Sequence, residues 1–227
     1  MKGFTVELEK DRGNTVRKLL WIIPMSLMLF VGGCTEEQDQ MQKELAGILT
    51  DIQEYETKVV EYENQLATLE KKEQLLFNKT VDFTIEEREL IESGVSKMET
   101  SLEERENLIE KERGVIDDAE QTAKRLESLP TETGDEAERA IAKLKTALSK
   151  RFELHYEVMD LYSELTEKQS SLYELLIEEN VKRVELERAT VAVNKQRAKL
   201  EDAILVFNQS TLEVNSALKE TQQVESE

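Results

Sequence analysis

Cysteine is almost absent from this chain: Cys34 stands alone among 227 residues. No disulfide can form within the chain, and no cysteine-rich metal site can be built from it. Histidine is equally scarce, with His155 the single copy. Zinc sites that need several histidines are excluded, and so are di-metal bundle sites built on repeated Glu-x-x-His. Phe152, rather than glutamate, stands three residues before His155. Eight glycines and two prolines are too few for a fold of many short strands and tight turns. No Gly-rich phosphate loop, Walker motif or Ser-centred elbow occurs. Basic residues are outnumbered, 30 Lys and Arg against 49 Asp and Glu, for a net charge of −19. That balance excludes nucleic acid as a partner, because phosphate neutralisation needs clustered cations. It also opposes adhesion to anionic lipid or wall polymers unless cations bridge the two surfaces. The chain reads as a non-enzyme with no cofactor, no metal and no small-molecule substrate.

Long apolar runs are missing as well. The longest, Leu19 to Val31, has 13 residues, short of the about 20 of a membrane-spanning helix. Its setting explains it. Arg17 and Lys18 precede it, and Gly32 and Gly33 follow it, immediately before Cys34. Positive, apolar, small is the order of a secretory signal peptide. Val31-Gly32-Gly33-Cys34 resembles the lipobox of bacterial lipoproteins. That resemblance implies cleavage between Gly33 and Cys34, a diacylglyceryl group on the Cys34 thiol, and palmitate among its acyl chains. The expected location is the cell membrane, lipid-anchored on the extracytoplasmic face. Residues 1–33 are then a leader carrying five basic and three acidic residues, and the remaining 194 carry −21.

What is abundant after Cys34 is Glu, Lys, Leu and Ala at helical spacing. Residues 34–40 read as the anchored tether, 41–221 as one helical domain and 222–227 as a disordered tail. Met41, Leu45, Ile48, Ile52, Tyr55, Val59, Tyr62, Leu66, Leu69 and Leu76 recur at steps of four and three, which puts them on one helix face; Glu73 interrupts them. The first helix is expected to end near Phe77. Thr84 with Glu87 has the form of a capping box for the second. There Ile91, Val95, Met98, Leu102, Ile109, Ile116, Ala119, Ala123 and Leu126 form a stripe that Arg105 and Glu112 share. These two are expected to be partly exposed or paired across the seam. Gly94 and Gly114 weaken this helix by about 1 kcal/mol each relative to Ala. Pro130 and Gly134 end it.

From Asp135 onward there is no Gly or Pro. The stripe runs through Ile141, Leu144, Leu148, Arg151, His155, Tyr162, Leu165, Gln169 and Leu172, thins near Glu179, and strengthens again at Leu200, Phe207, Val214 and Leu218. His155 reads as a hydrogen-bonded seam histidine. Two architectures fit: an all-α up-down bundle of four segments, turning near Glu178-Glu179-Asn180, or three helices with one very long C-terminal helix. The four-segment bundle is favoured, because matched lengths let every stripe be buried.

Asn194, Phe207, Asn208, Thr211 and Asn215 form a polar and aromatic strip near the C-terminus. It is a candidate partner-binding strip, or alternatively a set of interhelical hydrogen bonds that fix register. Leu69-Glu70-Lys71-Lys72-Glu73-Gln74-Leu75-Leu76-Phe77, Lys150-Arg151-Phe152, Glu167-Lys168-Gln169-Ser170-Ser171-Leu172-Tyr173, and Phe207-Asn208 with Thr211 and Asn215 resemble YkyA-type cell-wall-binding lipoproteins of Gram-positive bacteria. The resemblance implies an all-helical surface protein, broken near Asn180, that meets the wall or another envelope protein. It carries no catalytic residue over. The alternative is a self-associating structural or regulatory coiled coil that acts on a membrane enzyme or the division apparatus.

Overall fold

The computed structural model describes residues 36–129 and 135–224, with side chains from 41 to 129 and from 136 to 221. The expected leader, Cys34, Pro130 and Gly134 lie outside the described residues. The described chain forms α1 (Glu36–Val81), α2 (Arg88–Lys124), α3 (Asp135–Ile177) and α4 (Arg183–Val224), with 3-10 turns at Ile85–Glu87 and Arg125–Ser128. The architecture is the four-segment all-α bundle.

Each helix boundary has a local cause. Glu87 reaches back to the Thr84 amide, which donates to its carboxylate at 2.9 Å, so the capping box holds the entry to α2. The break after α3 falls at Glu178 to Lys182. There the Lys182 amide donates to the Glu185 carboxylate at 2.8 Å, opening α4. Arg88 closes the other side, its guanidinium donating to the Ile177 carbonyl at 3.0 Å. That bond satisfies one of the carbonyls a helix end leaves free. α1 runs to Val81, four residues past the expected end.

The helices form two compact units, each built from segments of all four. The described part of the first holds residues 61–111 and 158–204; that of the second holds 36–60, 112–157 and 205–224. In the first unit Leu66, Phe77, Val95, Met98, Leu172 and Val193 are buried. In the second, Ile48, Ile116, Leu126, Leu144, Phe152 and Val214 are. Such stripes supply the main driving force, about 1.5–3 kcal/mol for each large apolar side chain removed from water.

One stripe sits differently from its sequence reading. Along α1, Tyr55, Tyr62, Leu69 and Leu76 are only half-buried, whereas Glu56, Glu73 and Phe77 face inward. The reason is charge. Arg151 and Arg105 occupy the core of the second and first units, and a buried guanidinium without a carboxylate is far costlier than a half-exposed tyrosine. Gly94 also has a role that helix propensity does not reveal: a Cβ there would lie 2.2 Å from Thr80 Oγ1, so only glycine admits this approach of α2 to α1.

Candidate functional site

Of the residues singled out in the sequence, Cys34 and Gly33 lie outside the described residues. The C-terminal strip is divided. Phe207 and Thr211 are buried in the second unit, while Asn208 and Asn215 of the same unit, and Asn194 of the first, are half-buried. Asn194 Oδ1 and Asn208 Nδ2 are buried without a hydrogen-bond partner.

Each unit instead holds a charged cluster inside its core. In the first, Arg105 Nη1 donates to both Glu73 carboxylate oxygens, at 2.9 and 3.0 Å, and to Gln169 Oε1 at 3.1 Å. Its Nε donates to the Tyr162 hydroxyl at 3.1 Å, and Tyr162 donates in turn to Glu70. Tyr173 completes the set, donating to Glu73 at 2.7 Å. Burial opposes the Arg105 charge, but Tyr162, Glu73 and Glu70 outweigh it and raise its pKa. Burial, with Glu73 beside it, also raises the Tyr173 pKa. Neither group changes charge near neutrality.

In the second unit Arg151 grips Glu56 with two parallel bonds, 2.5 and 2.8 Å, and its Nε donates to Thr211 at 3.0 Å. The guanidinium lies 4.8 Å from the Phe207 ring centroid, and the His155 ring lies 4.7 Å from it. Phe207 and Thr211 thus serve the packing of Arg151. His155 Nε2 lies 2.7 Å from Glu112 Oε1. Burial above all, then the positive charges of Arg151 and Arg113, pushes His155 down to about 3 against the pull of Glu56. The ring is therefore neutral at pH 7, with Nε2–H donating to Glu112.

The centres of these clusters are buried: Arg105 is 0% exposed, His155 1% and Glu73 2%, while Glu70 at the edge of the first keeps 30% of its side chain exposed. They specify which helix faces meet, since each polar group has its complement at one register only.

One open feature among the described residues is a groove of about 540 Å³ in the first unit, between α1 and α2. Asn64, Gln65, Thr68 and Lys72 line it from α1, and Asn107 and Lys111 from α2, with Glu104 at one wall. Sequence reading passed over these residues. The available signal was a polar line at four-residue spacing, Asn64-Thr68-Lys72 and Asn107-Lys111, beside each apolar stripe. No helix among the described residues is long and apolar enough to cross a membrane.

A family model described as "Putative cell-wall binding lipoprotein", YkyA, matches residues 40–224, which covers all but the first four residues of the described helices. The chain belongs to the YkyA family. The fold is also similar to a crystal structure of a conserved protein of unknown function from Staphylococcus aureus. The two share a TM-score of 0.70 at 16% identity, over 86% of this chain and 98% of the other. That likeness concerns the fold alone. No protein with curated annotation matches this YkyA-family chain.

Proposed function

We propose that this YkyA-family protein is a non-catalytic, lipid-anchored protein of the extracytoplasmic face that binds the cell wall or another envelope protein. The observation that carries this reading is family membership over residues 40–224. The lipobox-like Val31-Gly32-Gly33-Cys34 supplies the anchor. Two acyl chains hold a protein stably where one is reversible. The charged groups at the centres of the cores are buried, which favours surface recognition as the chemistry on offer.

We place wall contact at the groove between α1 and α2. Its amides and the Thr68 hydroxyl match the hydroxyls and amides of a glycan strand, and Lys72 and Lys111 offer local positive charge to an anionic substituent. A net charge of −19 repels wall polyanions at a distance, so binding must depend on such a local site.

Co-sedimentation with purified wall sacculi tests this. The wild type is expected in the pellet, and Lys72→Glu with Lys111→Glu is expected to cut the bound fraction about tenfold, the loss of two exposed charge contacts of about 0.7 kcal/mol each. Equal binding by the variant moves the contact away from the groove. No pelleting of the wild type removes wall binding altogether.

A further inference from the structure

Glu104 is out of keeping with the other charges of the groove between α1 and α2. Three charged residues line that groove: Lys72 from α1, and Glu104 and Lys111 from α2. All three are exposed and belong to the first unit. No ion pair among the described residues takes up any of them. Lys71, Glu103 and Glu110, exposed beside them in sequence, do not line the groove. A site for a polyanion is weakened by a carboxylate in its wall, because like charges brought together oppose binding. Glu104 therefore marks a ligand that carries both signs of charge.

The placement of the charges sets the length of that ligand. Glu104 and Lys111 stand seven residues apart on α2, two turns along one face, or about 10 Å at 1.5 Å per residue. Thr80 meets Gly94 and Glu73 meets Arg105, so α1 and α2 run antiparallel in this unit. That register sets Lys72 near the Glu104 end of the groove, and Asn64 and Gln65 near the Lys111 end. An extended peptide advances about 3.3–3.6 Å per residue, so three residues cover the distance. The carboxamides of Asn64, Gln65 and Asn107 both donate and accept, as a peptide group does. Leu69 and Leu108 give the groove an apolar part between its charged ends.

We propose that the groove takes a short extended peptide with a cationic side chain at one end of three residues and a free terminal carboxylate at the other. This is the chemistry of the peptide arms of a bacterial wall, rather than of its sugars or its anionic polymers. The inference rests on the wall-binding reading and narrows it to one component of the wall. Glu104 receives the ammonium of the ligand, and Lys111 its carboxylate, with Asn64 and Gln65 donating beside it. Lys72 donates to a carbonyl of the same peptide. The two charges of such a ligand cancel, so the net charge of −19 does not oppose its approach. An anionic polymer is repelled both at a distance and at Glu104.

Titration of N-acetyl-lysyl-D-alanyl-D-alanine with the full-length chain in detergent, followed by NMR of the alanyl methyl groups, tests this beside sedimentation on sacculi. The wild type is expected to bind the tripeptide about fivefold more tightly than its C-terminal amide or its Nε-acetyl form, each of which lacks one charge. Glu104→Lys is expected to weaken the tripeptide about fivefold and to lower the fraction bound to sacculi. Glu104 is exposed and Lys is an equally good helix former, so the variant keeps the fold, which circular dichroism checks. A Glu104→Lys chain that pellets more strongly than the wild type identifies an anionic polymer as the ligand and overturns the inference, while wall binding stands. Equal affinity for the tripeptide and its amide overturns it too. A wild type that fails to pellet removes the wall reading, and the tripeptide titration still decides what the groove takes.

Discussion

His155 is the sole histidine of the chain, so its titration can be isolated from every other group. Arg151, Arg113, Glu56 and Glu112 surround it, and in the fold its pKa lies near 3, below the 6.5 of the free side chain. A depressed pKa means that the unfolded chain takes up a proton that the folded chain refuses. The stability is therefore full above about pH 6.5 and lost as pH falls toward 3, at about 1.4 kcal/mol per pH unit. Between pH 6.5 and 5.5 few carboxylates titrate. Denaturant unfolding should show the wild type losing stability across that interval and His155→Gln losing almost none. Equal slopes, or a wild type that gains stability on acidification, would show that a charged His155–Glu112 pair governs instead. The place of His155 on the seam was legible from its spacing. Its partner was not, because Glu112 lies 43 residues away and spacing within one helix says nothing about what faces it.

At the scale of the element, the two glycines of α2 look alike in sequence and differ in structure. A Cβ at Gly114 would meet nothing within 4 Å, whereas one at Gly94 would lie 2.2 Å from Thr80. Gly114→Ala is expected to stabilise the protein by about 1 kcal/mol, the gain in helix propensity. Gly94→Ala is expected to destabilise it by about 1–3 kcal/mol, the usual cost of forcing extra volume into close packing. Thermal unfolding of the two variants measures both, and a rise in melting temperature for Gly94→Ala would mean that α1 and α2 can separate freely there. The capping box at Thr84 was legible because it is fixed by residues within a few positions, and the turn near Asn180 was favoured because matched lengths let every stripe be buried. The half-exposure of Tyr55, Tyr62, Leu69 and Leu76 on α1 was not legible, for the opposite reason. Glu56 and Glu73 face inward because arginines on other helices require it.

For the molecule as a whole, retention at a membrane rests on the proposed anchor, since no described helix can cross one. Cys34→Ala is expected to lose labelling by radioactive palmitate and to leave the membrane fraction. A labelled or membrane-bound variant would point to another attachment. The charge of −19 acts at this scale too, since it sets molecules of this chain to repel one another at a distance.

The sequence by itself determined the all-α class, most of the buried stripes and the order of residues that reads as an export signal, and it favoured four segments over three. These are local properties, set by periodicity, caps and the order of a few neighbouring residues. Only the tertiary structure decided which polar seam residues meet: Glu73 with Arg105, Glu56 with Arg151, and Glu112 with His155. It also decided that the groove beside Lys72 is open. A stripe reports that a helix has a face to bury; whether anything covers that face depends on the position of every other helix.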